Sequence, residues 1–138
     1  MFFFNEILWL TRLSALKRIK LVVFDVDGVL TDGKLHIDNR GNTTKSFNVK
    51  DGLAIKLLQN EGIKTAFISG GSKGSTNYRA ESLNVDYCLV GVKNKMDTLK
   101  HLQKQLGFSI NQTAYLGDDL NDLPVFNYVK LFITPFDA

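Results

Sequence analysis

Five short apolar runs separated by helical patterns set the tightest limit on what this chain can fold into. They are LVVFDV (21–26), KTAFIS (64–69), VDYCLV (85–90), TAYLGD (113–118) and KLFIT (130–134). Each is short and rich in β-branched or aromatic residues, so each reads as a buried strand. Helical patterns fall between them. From Asp51, GLAIKLLQNEG places apolar residues at 53, 54, 55, 57 and 58, with Asp51 as the expected cap and Gly62 as the stop. A Gly/Ser turn, GGSKGS (70–75), opens a helix to about Leu83, 94–106 forms another ended by Gly107, and a short helix spans 120–128. The stretch 34–49 alternates on both sides of Asn39-Arg40-Gly41-Asn42, a hairpin signal. The expectation is an α/β fold: one domain over 1–138, a parallel sheet covered on both faces, and one inserted β-hairpin.

Composition narrows the class further. Of 138 residues, 44% are hydrophobic and 22% charged, which excludes disordered, collagenous and disulfide-scaffold chains. The net charge of +3 resides in residues 1–20, where Arg12, Lys17, Arg18 and Lys20 face only Glu6, so no nucleic-acid surface is implied. Cys88 is the only cysteine, which fits a reducing compartment and a cytoplasmic location. No apolar run approaches the roughly 20 residues of a membrane span, so no membrane insertion is expected. The opening MFFFNEILWL lacks a basic residue before its apolar stretch and a small-residue cleavage site, unlike a signal peptide. Ile7, Leu8, Leu10, Leu13, Leu16 and Ile19 instead recur at near-helical spacing, giving an amphipathic helix over 1–19 for packing or subunit contact, with a membrane-surface helix as the alternative.

In a parallel α/β sheet the carboxyl ends of the strands open onto one crevice, where ligands bind. Strand one leaves through Asp25-Val26-Asp27-Gly28 and strand two through Ser69-Gly70-Gly71. The loop after strand three carries Lys93 and Lys95, and strand four leaves through Gly117-Asp118-Asp119, with Asp122 close behind. Period-two alternation puts Asp25 and Asp27 on one side unless the chain leaves the strand between them. Crowded carboxylates repel unless a cation joins them, and Asp25, Asp27 and Asp118 make an oxygen-rich set suited to Mg²⁺. Asp-Gly pairs also serve simple turns, but a hydroxyl and an ammonium at the neighbouring exits point to phosphoryl transfer. A carboxylate can attack phosphorus, a second can move the proton, and Lys95 with Ser69 can hold the equatorial oxygens. His36 and His101 are isolated and match no metal-ligand spacing.

Four ordered motifs carry a family resemblance: DVDGVLTDG (25–33), Ser69, Lys95 and GDDLND (117–122). The chain resembles the haloacid dehalogenase (HAD) superfamily of phosphatases. More narrowly it is similar to the capless branch acting on 3-deoxy-D-manno-octulosonate (KDO) 8-phosphate, through KSFNVKDGLAIKLL (45–58), GVKNK (91–95) and AYLGDDLNDLPVF (114–126). The resemblance covers about residues 17–138 and implies a Rossmann-like three-layer sandwich without a cap domain. It implies a Mg²⁺-dependent phosphatase of lipopolysaccharide precursor synthesis that acts through an aspartyl phosphate. Asp25 is the implied nucleophile and metal ligand. Asp27 is the implied acid/base, binding the metal through its carbonyl, and Asp118 is the third ligand. Asp122 is implied to hold Lys95 and metal-bound water, and Ser69, Gly70 and Lys95 to grip phosphate. Asn48, Val49, Lys50, Asp51, Gly52 and Arg79 match sugar-contacting positions, and Lys56 stands where a basic residue is usual. A homo-oligomer, a tetramer by resemblance, is expected with the hairpin as contact.

Two departures from the family pattern matter. Gly71 stands where the octulosonate enzymes usually carry Arg, and Gly cannot make bidentate bonds to a substrate carboxylate. That leaves open a sialic-acid-type nine-carbon acid 9-phosphate as substrate. Family members also continue past a PFDA-like segment (135–138) into a further strand, helix and glycine-rich tail, which is absent from this sequence. A different class is therefore carried alongside: a non-catalytic, metal-binding domain associated with a cytidylyltransferase.

Overall fold

The computed structural model describes residues 14–138. Most of the helix expected over 1–19 lies outside the described residues; within them, 14–16 are helical and Ile19 is buried. The strands are β1 (Leu21–Phe24), β2 (His36–Ile37), β3 (Thr43–Thr44), β4 (Lys64–Ile68), β5 (Tyr87–Leu89), β6 (Thr113–Leu116) and β7 (Leu131–Ile133). The helices are α1 (Val49–Asn60), α2 (Ser75–Ser82) and α3 (Lys95–Leu106), with 3-10 helices at Ile110–Gln112 and Leu120–Tyr128. Five strands form a parallel sheet in the order β5-β4-β1-β6-β7, while β2 and β3 pair antiparallel as the predicted hairpin.

Alternation along β1 explains the layers. Val22, Phe24 and Val26 join Ile55 of α1 and Ala80 of α2 on one face of the sheet. Leu21 and Val23 join Leu99 and Leu102 of α3, Tyr115 and Val125 on the other. Every β1 residue is buried on both faces, as a central parallel strand requires. The register then levels the strand ends: Phe24 pairs with Phe67 of β4 and with Leu116 of β6. Asp25, Ser69 and Gly117 therefore leave the sheet within about one residue of the same height.

One local expectation is corrected, and two details are added. Asn48, not Asp51, caps α1, its side chain accepting from Lys50 N at 2.8 Å, and Asp51 sits in the first turn instead. The short helix expected over 120–128 is present as Leu120–Tyr128 and is 3-10 in form, Pro124 inside it lacking the N–H that an α-helix needs. The turn Ile110–Gln112 before β6 was not foreseen. Gly107 behaves as expected, ending α3 at φ 70°, where glycine carries no Cβ penalty.

Leu99 is fully buried beneath the sheet face that carries Asp25. Leu99→Ala is expected to destabilise the fold by about 3 kcal/mol, measured as a shift in the denaturant midpoint at unchanged slope.

Candidate active site

The chain leaves β1 at once. Val26 O accepts from Leu30 N at 2.9 Å and Thr31 N at 3.2 Å, forming a tight turn. The alternation expected to align Asp25 with Asp27 is therefore broken, and the two carboxylates part. Asp25 stays on the α3 side, where Lys95 Nζ lies 3.0 Å from its Oδ1. Asp27 turns toward the hairpin and meets Lys45, whose Nζ is 2.7 Å from Oδ1 and 2.9 Å from Oδ2.

Lys95 opens α3, where the helix dipole disfavours a cation, yet only 8% of its side chain is exposed. Two carboxylates hold it there: Asp25, and Asp122 at 2.8 Å. Asp122 is itself fully buried, and all its acceptor directions are engaged. Tyr115 Oη donates to Oδ1 at 2.6 Å, and the backbone N–H groups of Asp118 and Asp119 donate to Oδ2 at 3.2 Å each. Asp122 is thus a fixed post for Lys95, with no lone pair left to reach outward.

Asp118 occupies the gap opposite. A Cβ on Gly28 would stand 1.7 Å from Asp118 Oδ2, and Gly28 has φ +90°, so only glycine lets the two exits approach. Asp118 Oδ1 is buried and has no hydrogen-bond partner. Acid oxygens of Asp25, Asp118 and Asp122 lie within 4.8 Å of one another. Three carboxylates thus share one ammonium, an excess of two negative charges around an orphaned oxygen. That balance fits a hard divalent cation, to which Asp25 and Asp118 have oxygens to offer.

Electrostatics point the same way. Burial, only partly offset by Lys95, pushes Asp25 from the ordinary 3.8 up to about 6. Burial also raises Asp118, helped by the charges of Asp122 and Asp119. Burial works against the Lys95 ammonium, but its hydrogen bond to Asp122 and the charge of Asp25 outweigh that and raise it. Burial and the Asp122 carboxylate together raise the Tyr115 phenol far above its usual range, so it remains a donor.

These groups open onto a cleft of about 640 Å³ lined by Asp25, Asp27, Gly70, Gly71, Lys95 and Asp118, among others. Ser69 lies just behind it, buried, its Oγ accepting from Gly71 N at 3.0 Å. The loops after β4 and β5 are tied together by Val92 N to Ser69 O (3.0 Å) and Gly91 N to Gly71 O (2.7 Å), which fixes the wall. The sugar-contact candidates gather elsewhere. Asn48 and Asp51 line a hollow of about 400 Å³ with Val29, Thr31 and Phe47. Arg79 donates to Asn48 O at 3.1 Å, sits 5.7 Å over the Phe47 ring and presses on Gly52, so it braces this segment. Val49, Lys50 and Lys56 are exposed on α1. Sequence reasoning missed Lys45 and Tyr115. Tyr115 was legible from alternation, since it shares the side of β6 that faces α3, whereas nothing in the sequence marks Lys45 as buried.

Asp25 binds its proton more tightly in the folded chain than in the unfolded one. Its contribution to stability is therefore full below pH 3.8 and lost as the pH rises to about 6. Asp25→Asn in metal-free buffer is expected to raise stability by roughly 3 kcal/mol above that window and by nothing below it, measured by denaturation at pH 3.5 and pH 8.

Comparison with known proteins agrees with this geometry. A profile of the haloacid dehalogenase-like hydrolases matches residues 90–134. The chain is 45% identical over 111 residues to the 3-deoxy-D-manno-octulosonate 8-phosphate phosphatase of Haemophilus influenzae, covering 80% of this chain and 62% of that protein. It thus spans somewhat under two thirds of the curated relatives it matches, 65% for the Escherichia coli K12 enzyme of the same name. Among solved structures, a HAD superfamily (subfamily III A) hydrolase from Legionella pneumophila superposes with TM-score 0.92 at 42% identity, over 97% of this chain and 74% of that one. A Moraxella catarrhalis KDO 8-phosphate phosphatase, solved with magnesium, phosphate and KDO, superposes with TM-score 0.80 at 32% identity, over 87% and 79%. With the motif residues gathered at the strand exits and relatives this similar over most of their length, the chain belongs to the haloacid dehalogenase-like hydrolase family.

Proposed function

We propose that this chain is a Mg²⁺-dependent phosphatase of a 3-deoxy sugar-acid phosphate, KDO 8-phosphate in the first instance. The observation that carries the reading is the buried Asp25–Lys95–Asp122 cluster beside the unpartnered Asp118 oxygen at the floor of an open cleft. An Asp25 oxygen attacks phosphorus, and the bond from phosphorus to the sugar oxygen breaks as Asp27 gives its proton to that oxygen. Water then attacks the aspartyl phosphate and returns a proton to Asp27, releasing orthophosphate and restoring the Asp25 carboxylate. Lys95 and Ser69 bind the phosphoryl oxygens, and Asp122 keeps Lys95 in place. The Asp25 and Asp118 side chains with the Asp27 carbonyl would hold the Mg²⁺, which supplies charge neutralisation for the phosphoryl oxygens.

The Haemophilus and Moraxella relatives, both 3-deoxy-D-manno-octulosonate 8-phosphate phosphatases, support this choice of substrate. The product would feed lipopolysaccharide precursor synthesis in the cytoplasm; no helix among the described residues is long and apolar enough to cross a membrane. Self-association, as a tetramer, belongs to the same reading. Leu35 and Ile37 of the hairpin region are exposed, and Val49, Leu53 and Leu57 form an exposed stripe at helical spacing along α1. A second copy of the chain is the proposed occupant of these faces.

Phosphate release is expected from KDO 8-phosphate with Mg²⁺, lost in EDTA and reduced at least about 10³-fold by Asp25→Asn. N-acetylneuraminate 9-phosphate and its deaminated counterpart serve as comparison substrates. Preference for either would assign the nine-carbon reading that Gly71 leaves open. No release from any of them, by folded protein that binds Mg²⁺, would favour the non-catalytic domain.

A further inference from the structure

Lys45 follows directly on β3 of a hairpin whose four strand residues are all exposed, yet only 8% of its own side chain is exposed. Its Nζ reaches both oxygens of Asp27, at 2.7 and 2.9 Å, and lies 3.5 Å from the buried Thr76 Oγ1 on α2. Gly71 makes room for this arrangement. A Cβ there would stand 3.1 Å from Lys45 Nζ, 3.1 Å from Asp27 Oδ2 and 3.3 Å from Ser69 Oγ. The ammonium thus fills the corner where the acid, the hydroxyl and the hairpin meet. A second tie, Ser75 Oγ to Thr43 O at 3.4 Å, holds the same end of the hairpin against α2.

We infer that Lys45 is a positioning residue for Asp27, fixing its carboxyl group for proton transfer and coupling the seat of the hairpin to that geometry. The physical argument concerns donors and acceptors. An ammonium only donates and both Asp27 oxygens accept, so the Lys45 contact holds the carboxyl group in one orientation. Both oxygens lie within reach of Nζ, so one contact persists when the other oxygen is protonated. Without Lys45 the Asp27 side chain, about one third exposed, is free to rotate toward water. A rotated carboxyl misses the leaving oxygen, and misplacement alone is enough to slow proton transfer heavily.

The inference rests on the phosphatase reading, and its test separates the two. The phosphorus-to-sugar bond needs a proton on its leaving oxygen, whereas p-nitrophenolate departs without one. Lys45→Met and Lys45→Gln are compared with the wild-type chain on KDO 8-phosphate and on p-nitrophenyl phosphate, using the same preparations. In single turnovers, which read only the step in which the leaving oxygen departs, the expected result is a fall of about 10²-fold in the rate of KDO release and of less than about threefold in the rate of p-nitrophenolate release; the later hydrolysis of the aspartyl phosphate is common to both substrates. Lys45→Arg, for which Gly71 leaves space, is expected to recover most of the lost rate. The ratio of the two activities is internal to each sample, so partial unfolding cancels from it. Equal losses on both substrates, or no loss, overturn the positioning role while leaving the phosphatase reading intact. A wild-type chain inactive on both substrates overturns the phosphatase reading itself.

Discussion

The buried ammonium of Lys95 organises the floor of this site. Lys95 is held by Asp25 from the centre of the sheet and by Asp122 from the segment after β6, and neither carboxylate would tolerate burial without it. Asp122 in turn is pinned by a buried phenol and two backbone N–H groups, so the whole post is rigid. The one ammonium does not balance three carboxylates. The remainder is concentrated at Asp25 and Asp118, on the side that opens to solvent. Such an uncompensated charge is unfavourable by itself and is relieved by a bound divalent cation.

The sheet makes this placement inexpensive in backbone terms. Asp25 keeps its ladder hydrogen bond to Leu116 O at 2.8 Å, and Gly117 keeps one to Ile133 O at 3.1 Å, so the strand exits remain ordered where the acidic groups begin. Alternation on β1 sends Asp25 to the face already occupied by α3, which carries Lys95 at its first position. A one-residue shift in β1 would turn Asp25 to the opposite face, toward α1 and α2.

Much of this was legible in the sequence, and for physical reasons. Apolar runs in a parallel sheet are continuous and bounded by polar exits, so β1, β4, β5, β6 and β7 stood out, and the exits named Asp25, Ser69, Lys95, Asp118 and Asp122 together. Less legible was what depends on tertiary contact. Alternation puts Asp25 and Asp27 on one side only if the strand continues between them, and the turn at Val26 ends it there and sends Asp27 to Lys45. Lys45 reads as an ordinary charge on a polar hairpin because its burial comes from α2 and the Gly71 loop, far off in the chain. The cap of α1 moved to Asn48 because an Asn before a β-branched residue and an Asp three positions on are equally plausible caps. Arg79 matched a ligand-contacting position, yet it spends its hydrogen bond on the backbone of Asn48, a pairing that spacing alone does not reveal.

Two parts of the site thus have different origins. The floor comes from the sheet and α3, and the wall carrying Asp27 comes from a turn braced by the hairpin. Their joint claim is that Asp25, aimed from the floor, is the group that bonds to phosphorus. Borohydride added during turnover of KDO 8-phosphate reduces an acyl phosphate to the alcohol, so tandem mass spectrometry reads the site directly. The account predicts homoserine at position 25 and at no other aspartate. Phosphate release with an unmodified Asp25, or with the modification at another residue, would contradict it.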